Sequence, residues 1–218
     1  MQGPARRLGF GAYLLLAVLL AAAAASLYVG FKAASADAIS LQARWQISQW
    51  QAAGAQARPG PAELGAVRND LMAALDWTPG DPQLYENLGY VYGVRAARAE
   101  AIPELNQAFL ADSIGYYRQA TTLRPMSTYA WANLALGLHL QGDPPESIWP
   151  AYDRAYRYGN REAGVQRILA EIGFAHWAQA GAERQGQLIR MIDIAYPHAK
   201  GDLVRIAEHH GKAGLLDQ

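Results

Sequence analysis

The sequence predicts an all-α protein: an N-terminal transmembrane helix followed by an array of antiparallel helical hairpins, an α-solenoid. Three observations carry that prediction. Leu8 to Phe31 is a run of 24 residues without a charge, longer than the roughly 18 that mark a candidate membrane span. Beyond it, apolar residues recur at helical spacing, with no sustained alternation rich in Val, Ile and Thr. Pro and Gly interrupt that periodicity at intervals that divide the chain into similar helix pairs.

The first element is the apolar run. As a helix its 24 residues extend about 36 Å at about 1.5 Å per residue, enough to cross the hydrocarbon core. Arg6 and Arg7 precede it and Lys32 follows it, a bias that places the N-terminus in the cytoplasm and the remainder beyond a bacterial inner membrane, in the periplasm. The competing reading is a cleaved signal peptide, with Tyr13 to Leu20 as its apolar region and Ala21 to Ala25 offering cleavage sites. Leu27, Tyr28, Val29 and Phe31 continue the apolar pattern past those alanines, which favours a retained anchor.

Three regions follow: 1–32 as cytoplasmic N-terminus and anchor (or signal peptide), 33–60 as an amphipathic connecting helix, and 61–218 as the repeat domain. In the connecting helix, Ile39, Leu41, Trp45, Ile47 and Trp50 are the apolar residues, and Arg58-Pro59-Gly60-Pro61 ends it. Pro61 can occupy the first turn of the next helix. In Thr78-Pro79-Gly80-Asp81-Pro82, Asp81 is the expected N-cap and Pro82 the first helical residue. Pro125, Gly142-Asp143-Pro144-Pro145, Gly159-Asn160 and Gly181 mark later boundaries.

Composition excludes several functions. The 218 residues carry 19 basic and 19 acidic side chains, so no basic excess points to nucleic acid. There is no cysteine, hence no disulfide framework, cysteine-held metal or thiol chemistry. No phosphate-binding loop, nucleophile elbow or metalloprotease motif occurs. The adjacent His209 and His210 diverge by about 100° on a helix and do not make a metal site. Glu100 and Glu104 flank Pro103 with no other catalytic group nearby, so a solvated segment is expected there. The chain is therefore read as having no catalytic residues, no metal and no cofactor, and as a non-enzyme.

The helix pairs share a pattern. Tyr85, Leu88, Gly89 and Tyr92 are followed by Ser113, Tyr117, Ala120 and Pro125. Trp131, Leu134, Ala135 and Leu138 are followed by Tyr152 and Ala155. Leu169, Ile172, Gly173 and His176 are followed by Leu188, Ile192 and Ala195, and Val67, Leu71, Ala74 and Pro79 form a preceding half-unit. On these residues the chain resembles a tetratricopeptide-repeat (TPR-like) protein from about Pro61 to Pro197. It departs from an ideal period of about 34: Leu88 to Leu134 is 46 residues and Leu134 to Ile172 is 38. The first unit carries about twelve extra residues, 95–106, and Pro150 lies inside an expected helix, where it should bend the helix or delay its start.

The resemblance implies a concave face lined by the first helix of each pair, and hence a binding surface for a partner protein. It nominates Gln83, Glu86, Asn87 and Tyr90, then Tyr129, Asn133, Leu136 and His139, then Arg167, Phe174 and Trp177. Asn87 and Asn133 occupy equivalent positions, where the resemblance implies either a hydrogen bond to a ligand backbone or a bridge between neighbouring helices. Arg167 alone does not make a clamp for a C-terminal carboxylate. Size, anchor and degenerate repeats also resemble the accessory proteins of bacterial exopolysaccharide biosynthesis and export (VpsP-like), which implies an envelope partner such as a polysaccharide polymerase or export component. The alternatives are a periplasmic chaperone beside the secretion translocon, and a carbohydrate-binding or polysaccharide-modifying protein, for which Trp45, Trp50 and the tyrosines are the sugar-stacking candidates.

Overall fold

The computed structural model describes residues 10–195 and 197–216. Arg6, Arg7, Leu8 and Gly9, on which part of the anchor reading rests, lie outside the described residues. Among the described residues nine α-helices follow one another: α1 Phe10–Ala53, α2 Pro61–Trp77, α3 Pro82–Arg98, α4 Pro103–Leu123, α5 Thr128–Gln141, α6 Pro145–Gly159, α7 Ala163–Ala175, α8 Gly181–Asp193 and α9 Pro197–His209. No strand occurs among the described residues.

Helix α1 joins two regions that the sequence separates at residue 32. It runs unbroken for 44 residues, about 66 Å at about 1.5 Å per residue. Its N-terminal half is long and apolar enough to cross a membrane, and none of the described residues covers it. Its C-terminal half packs against α2 through Ala36, Ser40, Ala43 and Ile47. Small residues thus form most of this seam, which lets the backbones approach closely. Leu41 and Trp45, read from the sequence as part of the apolar face, turn outward with 62% and 57% of their surface exposed. Phe31, at the end of the apolar run, meets Trp77 of α2 edge-to-face at 5.8 Å.

Local signals set the helix ends. The Asp81 carboxylate accepts from the Gln83 N–H at 2.8 Å, and Pro82 opens α3. Ser127 caps α5. Gly142, at φ 83°, closes α5 in the left-handed region and lets the Asp143 N–H reach the Leu138 carbonyl at 3.1 Å. Pro150 sits inside α6, which begins on schedule at Pro145 and continues past it. The extra residues 95–106 lengthen the first full hairpin: α3 and α4 have 17 and 21 residues, against 14 and 15 in α5 and α6. Helix α9 buries Ala199, Leu203 and Ala207 and packs on α7.

Neighbouring helices approach closely where a glycine faces a large side chain. A Cβ on Gly89 would stand 2.8 Å from the Tyr117 ring, one on Gly137 2.8 Å from Ile114, and one on Gly173 2.8 Å from Leu188 and 3.0 Å from the Tyr152 hydroxyl. Ser113 reinforces the first of these by donating from its buried hydroxyl to the Gly89 carbonyl at 2.7 Å. Two core clusters result. One joins α1, α2 and α3 around Val67, Leu71 and Leu88, and the other runs from α4 to α9 around Tyr152, Leu169 and Ile172. Asp153 of α6 accepts two bonds of 2.8 Å from Arg184 of α8, whose guanidinium also lies over Trp149 at 4.8 Å.

Gly89→Ala should destabilise the fold by about 1–3 kcal/mol, because a buried ring must shift. Gly115→Ala should do the opposite. Gly115 lies in the interior of α4, and a Cβ there would meet nothing within 4 Å, so the substitution should gain about 0.5–1 kcal/mol. Chemical denaturation of both variants would check the pair; equal effects would show that the glycines matter only through helix propensity.

Candidate functional site

The residues nominated from the sequence fall on the first helices α3, α5 and α7, except Trp177, which lies in the turn after α7, and the structure uses them in different ways. Glu86 reaches out of α3 to the turn before α5, where its carboxylate accepts from the Ser127 hydroxyl at 2.8 Å and pairs with Arg124 at 3.6 Å. It ties one hairpin to the next, and with its carboxylate so engaged it is a tether. Asn87 is only 7% exposed and accepts from Gln83 one turn earlier at 3.4 Å. Asn133 donates to the Tyr129 carbonyl of its own helix at 2.9 Å. Both asparagines therefore bond within their own helices. Tyr90 is half-buried, and burial raises its phenol pKa.

On α5 and α7 the surface is more open. Tyr129 is 45% exposed and lies over the start of α7, where a Cβ on Gly164 would meet its ring at 2.9 Å. Partial burial and the neighbouring Glu162 raise the pKa of its phenol, with Arg167 opposing. Leu136 is half-buried against the core. Phe174 corrects the sequence reading. It is 2% exposed and stacks on Trp177 at 5.8 Å, so it fills the core beside α8, and Trp177 forms the half-buried edge.

Arg167 has a partner that spacing did not reveal, Asp202 of α9, at 3.7 Å. The two line a shallow cleft of about 350 Å³ between α7 and α9, with Glu171, Arg205, Ile206 and His209. Glu171 also meets His210 at 2.9 Å. These α9 residues extend the surface beyond the nominated set. Their signal was present in the one-turn spacing of Arg167 and Glu171 and of Asp202, Arg205 and His209, but nothing in the sequence aligned the two helices.

His139 also gains an unforeseen partner. Its Nδ1 stands 3.0 Å from Nε2 of His176, and the His176 ring meets Trp149 edge-on at 6.0 Å. One imidazole must donate and the other accept, which requires at least one neutral ring. Burial lowers the pKa of both; for His139 the neighbouring His176 adds to this while Glu171 opposes it. Among the described residues no three His, Asp or Glu side chains converge as metal ligands.

The chain is similar to a thermophilic TPR protein of Thermus thermophilus, whose crystal structure aligns with a TM-score of 0.57 at 16% identity over 83% of this chain and 82% of that one. The fold is a TPR-like helical repeat. No family model and no curated protein matches the sequence.

The histidine pair predicts a pH dependence. Their folded pKa values lie below the ordinary value of 6.5. Above that value both folded and unfolded chains hold neutral rings, and the pair carries no penalty. Below it the unfolded chain takes up protons that the folded chain resists, so stability falls with pH. The melting temperature should therefore drop from pH 7 towards pH 5, and His139→Gln with His176→Gln should flatten that slope. An unchanged slope in the double variant would assign the dependence to other groups.

Proposed function

We propose that the chain is a membrane-anchored scaffold that holds a partner protein of the bacterial envelope along the face built by α3, α5, α7 and α9. The observation that carries this reading is the continuity of α1: one helix is both the uncovered apolar segment and the first packed helix of the array. Such a helix fixes the array rigidly relative to its apolar end, which a flexible linker would not do. The TPR-like fold supports protein recognition, and the mixed aromatic and polar character of Tyr90, Tyr129, Leu136 and Trp177 suits a segment of another protein.

The finer parts of the proposal rest on the sequence. Arg6 and Arg7 before the apolar run, against Lys32 after it, support an inner-membrane anchor with the repeat domain in the periplasm. The resemblance to exopolysaccharide accessory proteins supports a polysaccharide polymerase or export component as the partner. In the α7–α9 cleft the Glu171 and Asp202 carboxylates are already engaged, by His210 and by Arg167, so the proposed role is binding without catalysis.

Photo-crosslinking in intact cells tests this, with the photoreactive residue at Tyr90 and Tyr129 and a control at Gly115 on the exposed side of α4. Adducts to a polymerase or export component from the first two positions only are the expected outcome. Tyr129→Ala should weaken that association about tenfold or more, as loss of a half-exposed aromatic anchor does. Adducts to the translocon or to many unfolded chains would replace this reading with a chaperone. Absence of protein adducts in a folded variant would sink it.

A further inference from the structure

The lengthened α3–α4 hairpin builds a second site near its tip. A groove of about 500 Å³ opens between the α1–α2 connection and the tip of the hairpin. That volume lies in the range of ligand-binding clefts. Leu64, Ala99 and Phe109 form its apolar lining, and Ile102 and Leu105 stand at its rim, 54% and 40% exposed. Arg58, Arg95 and Arg98 also line it. Five of these residues, from 95 to 105, belong to the extra segment that breaks the repeat period.

The three arginines have no acidic partner: among the described residues no carboxylate forms an ion pair with any of them. The nearby Glu63 carboxylate is engaged by the Gly60 N–H at 2.7 Å, and Glu100 and Glu104 do not line the groove. Two arginines are already positioned. The Arg95 guanidinium lies over the rings of Phe109 at 4.3 Å and Tyr92 at 5.1 Å. Arg98 donates to the Pro59 carbonyl at 3.3 Å. A guanidinium stacked by its face keeps its N–H edge free for a carboxylate.

We propose that this groove docks an acidic segment of a partner protein, one that places a large apolar side chain between Ile102, Leu105 and Leu64 and carboxylates against Arg95 and Arg98. Charge complementarity selects the acid, and the apolar rim selects the side chain. A sugar ring fits less well, because stacking needs an open aromatic face and Arg95 already covers that of Phe109. A lipid headgroup is remote. The groove lies at the start of α2, whereas the apolar end of α1 meets Trp77 at the end of α2, about 25 Å away for a 17-residue helix. The groove shares no lining residue with the surface that carries Tyr90, Tyr129, Leu136 and Trp177.

Selection of a displayed random dodecapeptide library on the full chain in nanodiscs tests the proposal. The expected clones combine Asp or Glu with Leu, Ile or Phe. The synthetic peptide of the leading clone should bind more weakly at higher salt and lose roughly tenfold or more in affinity to Arg95→Gln with Arg98→Gln. Leu105→Asp, which leaves the arginines in place and puts a like charge at the rim, should have a similar effect. Tyr129→Ala should leave this binding unchanged, so failure here is separate from failure of the first surface. Circular dichroism and melting of each variant establish that it folds. Clones without acidic residues, or binding indifferent to the arginine and Leu105 variants, would overturn the proposal. So would binding of hexaglucuronate or phosphatidylglycerol vesicles that depends on these arginines while no peptide does.

Discussion

Several pairings in this array depend on close approach between two helix backbones, where one partner gives up its side chain. Gly89 does so for Tyr117, Gly137 for Ile114 and Gly173 for Leu188 and Tyr152. The result is that a large apolar side chain from one helix rests directly on the backbone of its neighbour, where dispersion contacts are dense and water is absent. Neither helix of such a pair has a broad enough apolar face to be stable alone. The seam of α1 with α2 obeys the same rule with alanine and serine in place of glycine. The apolar N-terminal half of the same helix lies outside this seam.

That double duty explains an oddity of α1. A helix packed by leucines would need a wide apolar stripe. One packed by Ala36, Ser40 and Ala43 needs only a narrow one, and larger residues such as Leu41 and Trp45 are left outside. A reading that weighs hydrophobicity above size puts Leu41 and Trp45 on the buried face. The same reading succeeds at Val67, Leu71 and Ala74, all fully buried in α2, because there the large apolar residues and the seam coincide.

The fold was legible because its determinants are local: helical spacing, Asp81 as a cap, Gly142 as a stop, and prolines at helix starts. The candidate surface was less so because its determinants are distant in sequence. Glu86 finds Ser127 across 41 residues, and His139 finds His176 across 37. Counting along one helix places such residues on the correct side but does not reveal which are already committed to a neighbour. Phe174 shows the limit most clearly, since it holds a first-helix position but sits at the end where Trp177 and α8 close over it. The irregular spacing at 95–106 was visible as an excess without a purpose, and only the hairpin geometry turns it into a groove.

The two surfaces therefore differ in how much they can vary. On the first, Glu86, Asn87, Asn133 and His139 already bond within the array, so a change there disturbs stability as well as recognition. At the tip of α3 and α4, Ile102 and Leu105 are exposed and carry little of the core. Lengthening one hairpin adds binding surface without moving any glycine seam, because the extra turns lie beyond the contact of Gly89 with Tyr117. A repeat array can thus acquire a new partner by extending a hairpin outward, while the close-packed middle of the same hairpin continues to hold the array on its apolar helix.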